Sequence, residues 1–126
     1  MILCCGEALI DMLPRTSDAG EAAFAPHAGG AVMNTAVALG RLDRPVQFFS
    51  GLSDDLFGDV LREHLAASNV DTAPVHTSSK PTTLAFVKLV DGQASYAFYD
   101  ENTAGRMLSV DHLPKVTADS LFFGGI

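Results

Sequence analysis

The sequence predicts an α/β fold with a mainly parallel sheet and a small antiparallel sheet beside it. Up to Val70, short apolar runs alternate with amphipathic stretches, and after residue 82 two strand-like runs are joined by Asp91-Gly92. Alternating strands and helices are typical of parallel sheets with right-handed crossovers. An Asp-Gly pair between two strands is typical of a tight antiparallel hairpin.

The first part of the chain supplies the predicted strand, helix, strand, helix order. Residues 2–5 are a continuous apolar run, which is typical of a strand buried on both faces. A helix is expected over residues 29–42, because its apolar residues share one side. Residues 46–50 predict a second buried strand, and Ser53 or Asp54 is expected to cap the second helix.

The hairpin over residues 82–99 cannot belong to a parallel core, so it predicts a separate antiparallel lid. Its partner is expected within residues 14–27, which places the lid strands roughly within 12–28 and 82–100. Residues 121–126 are a further buried-strand signature that nothing in the sequence follows. We therefore expect residues 1–126 to be the N-terminal part of one α/β domain whose C-terminal part is absent.

Composition excludes several classes of protein. With 48% hydrophobic residues and a mean hydropathy of +0.22 the chain is not disordered, and no apolar run is long enough to span a bilayer. A net charge of −7 argues against binding nucleic acid or an anionic membrane. Cys4 and Cys5 lack metal or redox spacing, so we expect buried thiols, a reducing compartment and a cytoplasmic protein.

Asp11 is the first candidate binding residue, because it lies between the apolar stretches 8–10 and 12–13. That setting predicts a carboxylate at or just beyond the carboxyl end of a strand, where open α/β sheets bind ligands. An ionised carboxylate only accepts hydrogen bonds, which suits a ligand rich in hydroxyl groups, such as a sugar. A solvated carboxylate at a strand end remains the alternative.

Two further clusters could contact the same ligand. Gly29 and Gly30 precede a helix and permit close approach to the backbone, while Asn34 in the first helical turn can both donate and accept. Phe98 lies on the hairpin arm that leads to Asp100, and aromatic faces pack on sugar rings. Two alternatives without a binding role remain open: that the Gly29-Gly30 pair only forms a turn, and that the aromatic residues of the hairpin only pack on the sheet. The four histidines have no ligand spacing, so no metal site is predicted.

Three motifs give the chain a family resemblance. They are Gly-Glu-Ala-Leu-Ile-Asp at 6–11, Ala-Gly-Gly-Ala-Val-Met-Asn-Thr-Ala at 28–36 and Gly-Leu-Ser-Asp-Asp-Leu-Phe-Gly at 51–58. In order and spacing they resemble the N-terminal signature of phosphofructokinase-B sugar kinases. The resemblance implies a ribokinase-like three-layer sandwich with a β-lid. It also implies a substrate site formed by the following residues: Asp11, Gly29, Gly30, Asn34, Phe98 and Asp100.

The resemblance further implies which sugar is used. Ala31 replaces an Asn that many ribokinase-type members have, and residues 98–104 are similar to those of bacterial fructokinases. Asp100 and Glu101 stand where a keto-deoxy-gluconate kinase would have an Arg, and carboxylates there would repel an acid substrate. Fructose is the expected substrate. Keto-deoxy-gluconate and other sugars or nucleosides remain alternatives.

The family reaction transfers the γ-phosphoryl group of Mg-ATP to a sugar hydroxyl through a C-terminal Gly-Ala-Gly-Asp motif, which this sequence lacks. The resemblance therefore implies ATP and Mg²⁺ bound mainly by an absent half, leaves open a monovalent cation, and assigns no catalytic residue here. It also implies a homodimer formed through the lid. A non-catalytic sugar-binding or dimerisation module is the competing interpretation, and a dinucleotide-binding domain is disfavoured because no glycine triad opens a helix.

Overall fold

The computed structural model describes residues 1–124. Two helices and nine strands occur in these residues, together with one 3₁₀ turn at Val110–His112. In chain order they are β1 Ile2–Cys5, β2 Leu9–Thr16, β3 Ala22–Gly29, α1 Ala31–Arg41, β4 Val46–Phe49, β5 Gly51–Ser53, α2 Leu56–Ala67, β6 His76–Ser78, β7 Leu84–Val90, β8 Gln93–Tyr99 and β9 Ser120–Phe123.

The strands form three sheets within the described part of the chain. The first is parallel with the order β4-β1-β9, so the N-terminal strand is central, which agrees with the strand predicted for residues 2–5. The second has the order β3-β2-β7-β8, in which two antiparallel hairpins meet at the parallel pair β2-β7. We call this second sheet the lid. The third is the short parallel pair β5-β6.

The lid hairpin turns as the sequence predicts. Asp91 and Gly92 have φ angles of 50° and 76°. Two successive residues with positive φ are the signature of the turn type whose twist matches a two-residue hairpin.

The hydrophobic core lies between the parallel sheet and the helices. The largest fully buried side chains include Phe48 from β4, Met33 from α1, and Leu61 and Leu65 from α2. Ile10 from β2 reaches the same core and joins the lid to it. The root of the lid is therefore anchored while its tip projects away.

Two local predictions were wrong. Asp11 is not at the end of a strand: the chain breaks at residues 6–8 and starts the new strand β2, in which Asp11 is the third residue. The cap of α2 is Asp55, not Ser53 or Asp54. Ser53 is still in β5, and its hydroxyl instead accepts a hydrogen bond from the Asp55 N–H at 3.0 Å.

The C-terminal run forms the predicted strand only in part. Ser120–Phe123 pairs with β1 in parallel, and its three apolar side chains, Leu121, Phe122 and Phe123, are exposed. The predicted run continues through Gly125 and Ile126, which lie outside the described residues.

Candidate functional site

A cleft of about 780 Å³ opens between the lid and the carboxyl ends of β1 and β4. Its floor includes Cys5, Gly6 and Ser50 at those strand ends, and β2 and β8 of the lid form a wall. Ligands of open α/β sheets bind at this edge. Four of the predicted residues line the cleft together, namely Asp11, Gly30, Phe98 and Asp100.

The Asp11 carboxylate is an acceptor without a protein donor among residues 1–124. Burial raises the pKa of Asp11, and the positive charge that His27 can carry on the paired strand partly offsets this. The cleft thus holds a partly desolvated carboxyl group whose hydrogen-bonding capacity is unused by the protein. Such a group is suited to hydroxyl donors of a ligand.

Gly29 does not line the cleft, because it lies buried beneath Asp11. A Cβ atom at position 29 would collide with the Asp11 Oδ2. The glycine therefore acts through Asp11 by leaving room for its carboxylate.

Gly30 and Glu7 build the helix end that faces the cleft. Gly30 has a φ of 111°, and a Cβ there would lie 2.6 Å from the carbonyl oxygen of Glu7. Since Gly30 has no capping side chain, the Glu7 Oε1 accepts the N–H of Ala31 at 2.8 Å instead. The negative Glu7 is stabilised at the positive end of α1. The sequence prediction missed Glu7, whose signal was a helix start without a cap of its own.

Asn34 is exposed on α1 but is not among the residues that line the cleft. It lies three residues after Ala31, which does line the cleft, so both occupy the same helix face. The structure places Asn34 beside the site rather than in it.

Two aromatic side chains of β8 form the lid wall of the cleft. Tyr96 and Phe98 are two residues apart on the strand, so their side chains lie on the same face. Their rings stack with centroids 6.0 Å apart. Phe98 keeps 61% of its surface exposed. Tyr99 points to the opposite face, where it packs against Phe86. The cleft therefore presents an apolar aromatic surface on its lid side.

Asp100 forms an ion pair with Arg106, with 3.3 Å between Oδ2 and Nη1, and both side chains line the cleft. Glu101 instead lines a separate hollow with Pro81 and Tyr99. Of the two carboxylates expected to repel an acid substrate, only Asp100 therefore lines the cleft, because β8 ends at Tyr99 and the chain turns there. Arg106 also lines the cleft, although the sequence prediction did not assign it to the site.

Within residues 1–124 no group of three or more His, Cys, Asp or Glu side chains could hold a metal ion. No helix of this part of the chain is long and apolar enough to cross a membrane. At the helix end that faces the cleft, the Glu7 carboxylate already accepts the Ala31 N–H, and its negative charge disfavours a phosphate there.

Comparison with known proteins agrees with this fold. The model of the pfkB family of carbohydrate kinases matches residues 1–118. A fructokinase from Rhizobium leguminosarum bv. trifolii is 60% identical over 128 residues, which cover 100% of this chain and 39% of that protein. The chain thus spans about two-fifths of that relative's length.

Solved structures show the same fold. The ATP-bound fructokinase of Xylella fastidiosa is 42% identical with a TM-score of 0.83, over 90% of this chain and 37% of that one. The fructokinase of Vibrio cholerae O395 in its fructose, ADP and calcium ion bound form is 26% identical with a TM-score of 0.80, over 95% of this chain and 39% of that one. Fold and cleft define a ribokinase-like α/β protein. The chain belongs to the pfkB family of carbohydrate kinases.

Proposed function

We propose that this chain is the sugar-binding part of an ATP-dependent fructokinase. The relatives named fructokinase are more than twice as long as this chain. Accordingly, the proposal includes a C-terminal part, outside residues 1–126, that binds ATP and Mg²⁺ and completes the kinase domain.

The observation that carries the proposal is the unpartnered carboxylate of Asp11 opposite an aromatic wall. A sugar has hydroxyl donors on its edges and apolar C–H groups on its faces. Asp11 accepts hydrogen bonds from the hydroxyls, while Phe98 and Tyr96 pack against the ring. Gly30 lines the cleft with backbone alone, so a ligand can approach the chain closely at that point.

The residues of this chain bind and orient the sugar and do not perform the phosphoryl transfer. ATP, when bound, supplies the phosphoryl group, and the proposal assigns its binding mainly to the C-terminal part. Holding the acceptor hydroxyl in a fixed direction reduces the entropic barrier of transfer. Closing the lid over the cleft would exclude water, which protects a transferable phosphoryl group from hydrolysis.

Assembly and location form part of the same proposal. Besides the residues that line the cleft, the lid exposes large apolar side chains on β7 and β8, namely Leu89, Val90 and Tyr99. These support a homodimer that forms through the lid. The free thiols of Cys4 and Cys5 support a cytoplasmic location, because reducing compartments preserve thiols. A monovalent cation remains open as an additional cofactor.

The test is a coupled ATP-consumption assay on the full-length gene product with fructose, ribose and 2-keto-3-deoxygluconate in parallel. Turnover with fructose above the other two supports the proposal. Preference for the keto acid would contradict the fructose assignment and indicate a kinase of sugar acids. This outcome is included because Arg106, a cation that could bind a carboxylate, lines the cleft. Sugar binding without ATP consumption would support the non-catalytic module instead.

A further inference from the structure

The Asp100–Arg106 contact is the only ion pair between two side chains within residues 1–124. It lies in the wall of the cleft rather than on the outer surface. The side chains remain 34% and 60% exposed, so the pair adds little to the stability of the fold. Its location therefore calls for an explanation other than stabilisation.

A rigid turn holds the two residues in this arrangement. Thr103 is only 2% exposed, and its hydroxyl donates to the Asp100 carbonyl oxygen at 2.9 Å. The same hydroxyl accepts from Thr83 at 2.8 Å, and the Ala104 N–H donates to the Pro81 carbonyl at 2.9 Å. The turn from 100 to 106 is thereby fixed to the start of β7.

The guanidinium of Arg106 is only partly used. It has five N–H donors, of which one reaches Asp100 in the described structure. Arg106 is also the only cation that lines the cleft in the described residues, against the carboxylates of Glu7, Asp11 and Asp100. The Glu7 carboxylate already accepts a hydrogen bond from the first turn of α1, so Asp100 is the carboxylate that pairs with Arg106.

We propose that Asp100 and Arg106 form a charge filter that selects neutral sugars over sugar acids. The inference rests on the proposed function and names the specificity determinant of the same site. While Asp100 pairs with Arg106, it neutralises the cation of the described cleft, so a sugar carboxylate meets an excess of negative charge. Removing the Asp100 charge frees the guanidinium for bidentate binding of a carboxylate.

The test uses the full-length protein and four variants: Asp100→Asn, Arg106→Gln, their combination, and Glu101→Gln. Glu101→Gln is a matched control, because it removes the same charge one position away on a residue that lines a different hollow. For each protein kcat and KM are measured with fructose and with 2-keto-3-deoxygluconate, and calorimetry gives the binding affinity of both compounds. Thermal midpoints are recorded alongside.

Asp100→Asn is expected to raise the keto acid to fructose ratio of kcat/KM about tenfold, mainly through KM, with little change in the thermal midpoint. Adding Arg106→Gln should return the ratio to the wild-type value, and Glu101→Gln should leave it unchanged. An unchanged ratio in Asp100→Asn, a rise that persists without Arg106, or an equal rise in Glu101→Gln would overturn the filter.

Failure of the filter is separable from failure of the fructokinase proposal. If the wild type turns over fructose but Asp100→Asn does not shift the ratio, only the filter is wrong. If the wild type does not phosphorylate fructose, the fructokinase proposal is wrong, and the calorimetric affinities of the two compounds still decide whether Asp100 masks Arg106.

Discussion

The carboxylate of Asp55 receives two hydrogen bonds from Thr82, one from the hydroxyl at 2.6 Å and one from the backbone N–H at 2.9 Å. Asp55 also caps α2 by accepting the Gly58 N–H at 2.8 Å. Thr82 lies just before β7, the strand that carries the lid hairpin. One carboxylate thus joins the second helix of the core to the root of the lid.

Replacing Asp55 with Ala should lower the free energy of unfolding by about 2–4 kcal/mol, the sum of a lost helix cap and charged hydrogen bonds to Thr82. Urea denaturation measures this change. Asp54→Ala is the control, since Asp54 is exposed and not the cap, and it should cost no more than about 0.5 kcal/mol. Equal losses in the two variants would contradict the role of Asp55.

Because the Asp55 carboxylate must be ionised to make these hydrogen bonds, its contribution to folding stability should be lost in acid. Burial alone would raise the pKa of Asp55, but the hydrogen bonds from Thr82, Gly58 and Ser53 outweigh it and hold the pKa below its usual value. The stabilisation is therefore complete above about pH 4 and is lost as the pH falls through the lowered folded pKa. Thr82→Val should make the denaturation midpoint less dependent on pH below 4; an unchanged acid profile argues against this linkage.

For Asp11 we expect the opposite dependence of folding stability on pH. Because burial raises the pKa of Asp11 in the folded chain, the folded state holds its proton more tightly than the unfolded state. This contribution to stability is fully present below the unfolded pKa and is lost as the pH rises through the folded pKa. Asp11→Asn should therefore raise the thermal midpoint at pH 7 while weakening fructose binding. A lower midpoint would show that the Asp11 charge stabilises the fold.

Gly29→Ala should damage the site through Asp11. The new Cβ would collide with the Asp11 carboxylate, so KM for fructose should rise. In an Asp11→Ala background the glycine change should have much less effect, since the group it displaces is gone. Additive losses in the double variant would mean that Gly29 acts independently.

Phe98→Ala should raise KM for fructose, by about tenfold, because one face of the aromatic wall is removed. Tyr99→Ala is the comparison, since Tyr99 packs on the other face of the lid against Phe86. It should lower stability and leave KM near the wild-type value. If both variants changed KM alike, the aromatic contact would not be specific to the cleft.

The sequence predicts local features better than contacts between distant segments. The order of strands and helices, the Asp91-Gly92 turn and the placement of Asp11 and Phe98 near one site follow from periodicity, turn chemistry and family resemblance. The contacts of Glu7 with Ala31 and of Asp55 with Thr82 join residues 24 and 27 positions apart.

Nothing in the local sequence pattern distinguishes Glu7 or Asp55 from an acidic residue that is simply exposed to solvent. Asp11 was expected at or just beyond the carboxyl end of a strand, but it is the third residue of β2, because the apolar residues on both sides of it belong to that one strand. Arg106 was left outside the site because only the turn fixed by Thr103 brings it to Asp100.

The most direct test of the central claim is the kcat/KM for fructose of the full-length protein with and without Asp11→Ala. If the Asp11 carboxylate accepts at least two sugar hydroxyls, its loss should cost about 2 kcal/mol or more, a decrease on the order of 30-fold. A variant that folds normally and phosphorylates fructose with wild-type kcat/KM would contradict the assignment of this cleft as the sugar site.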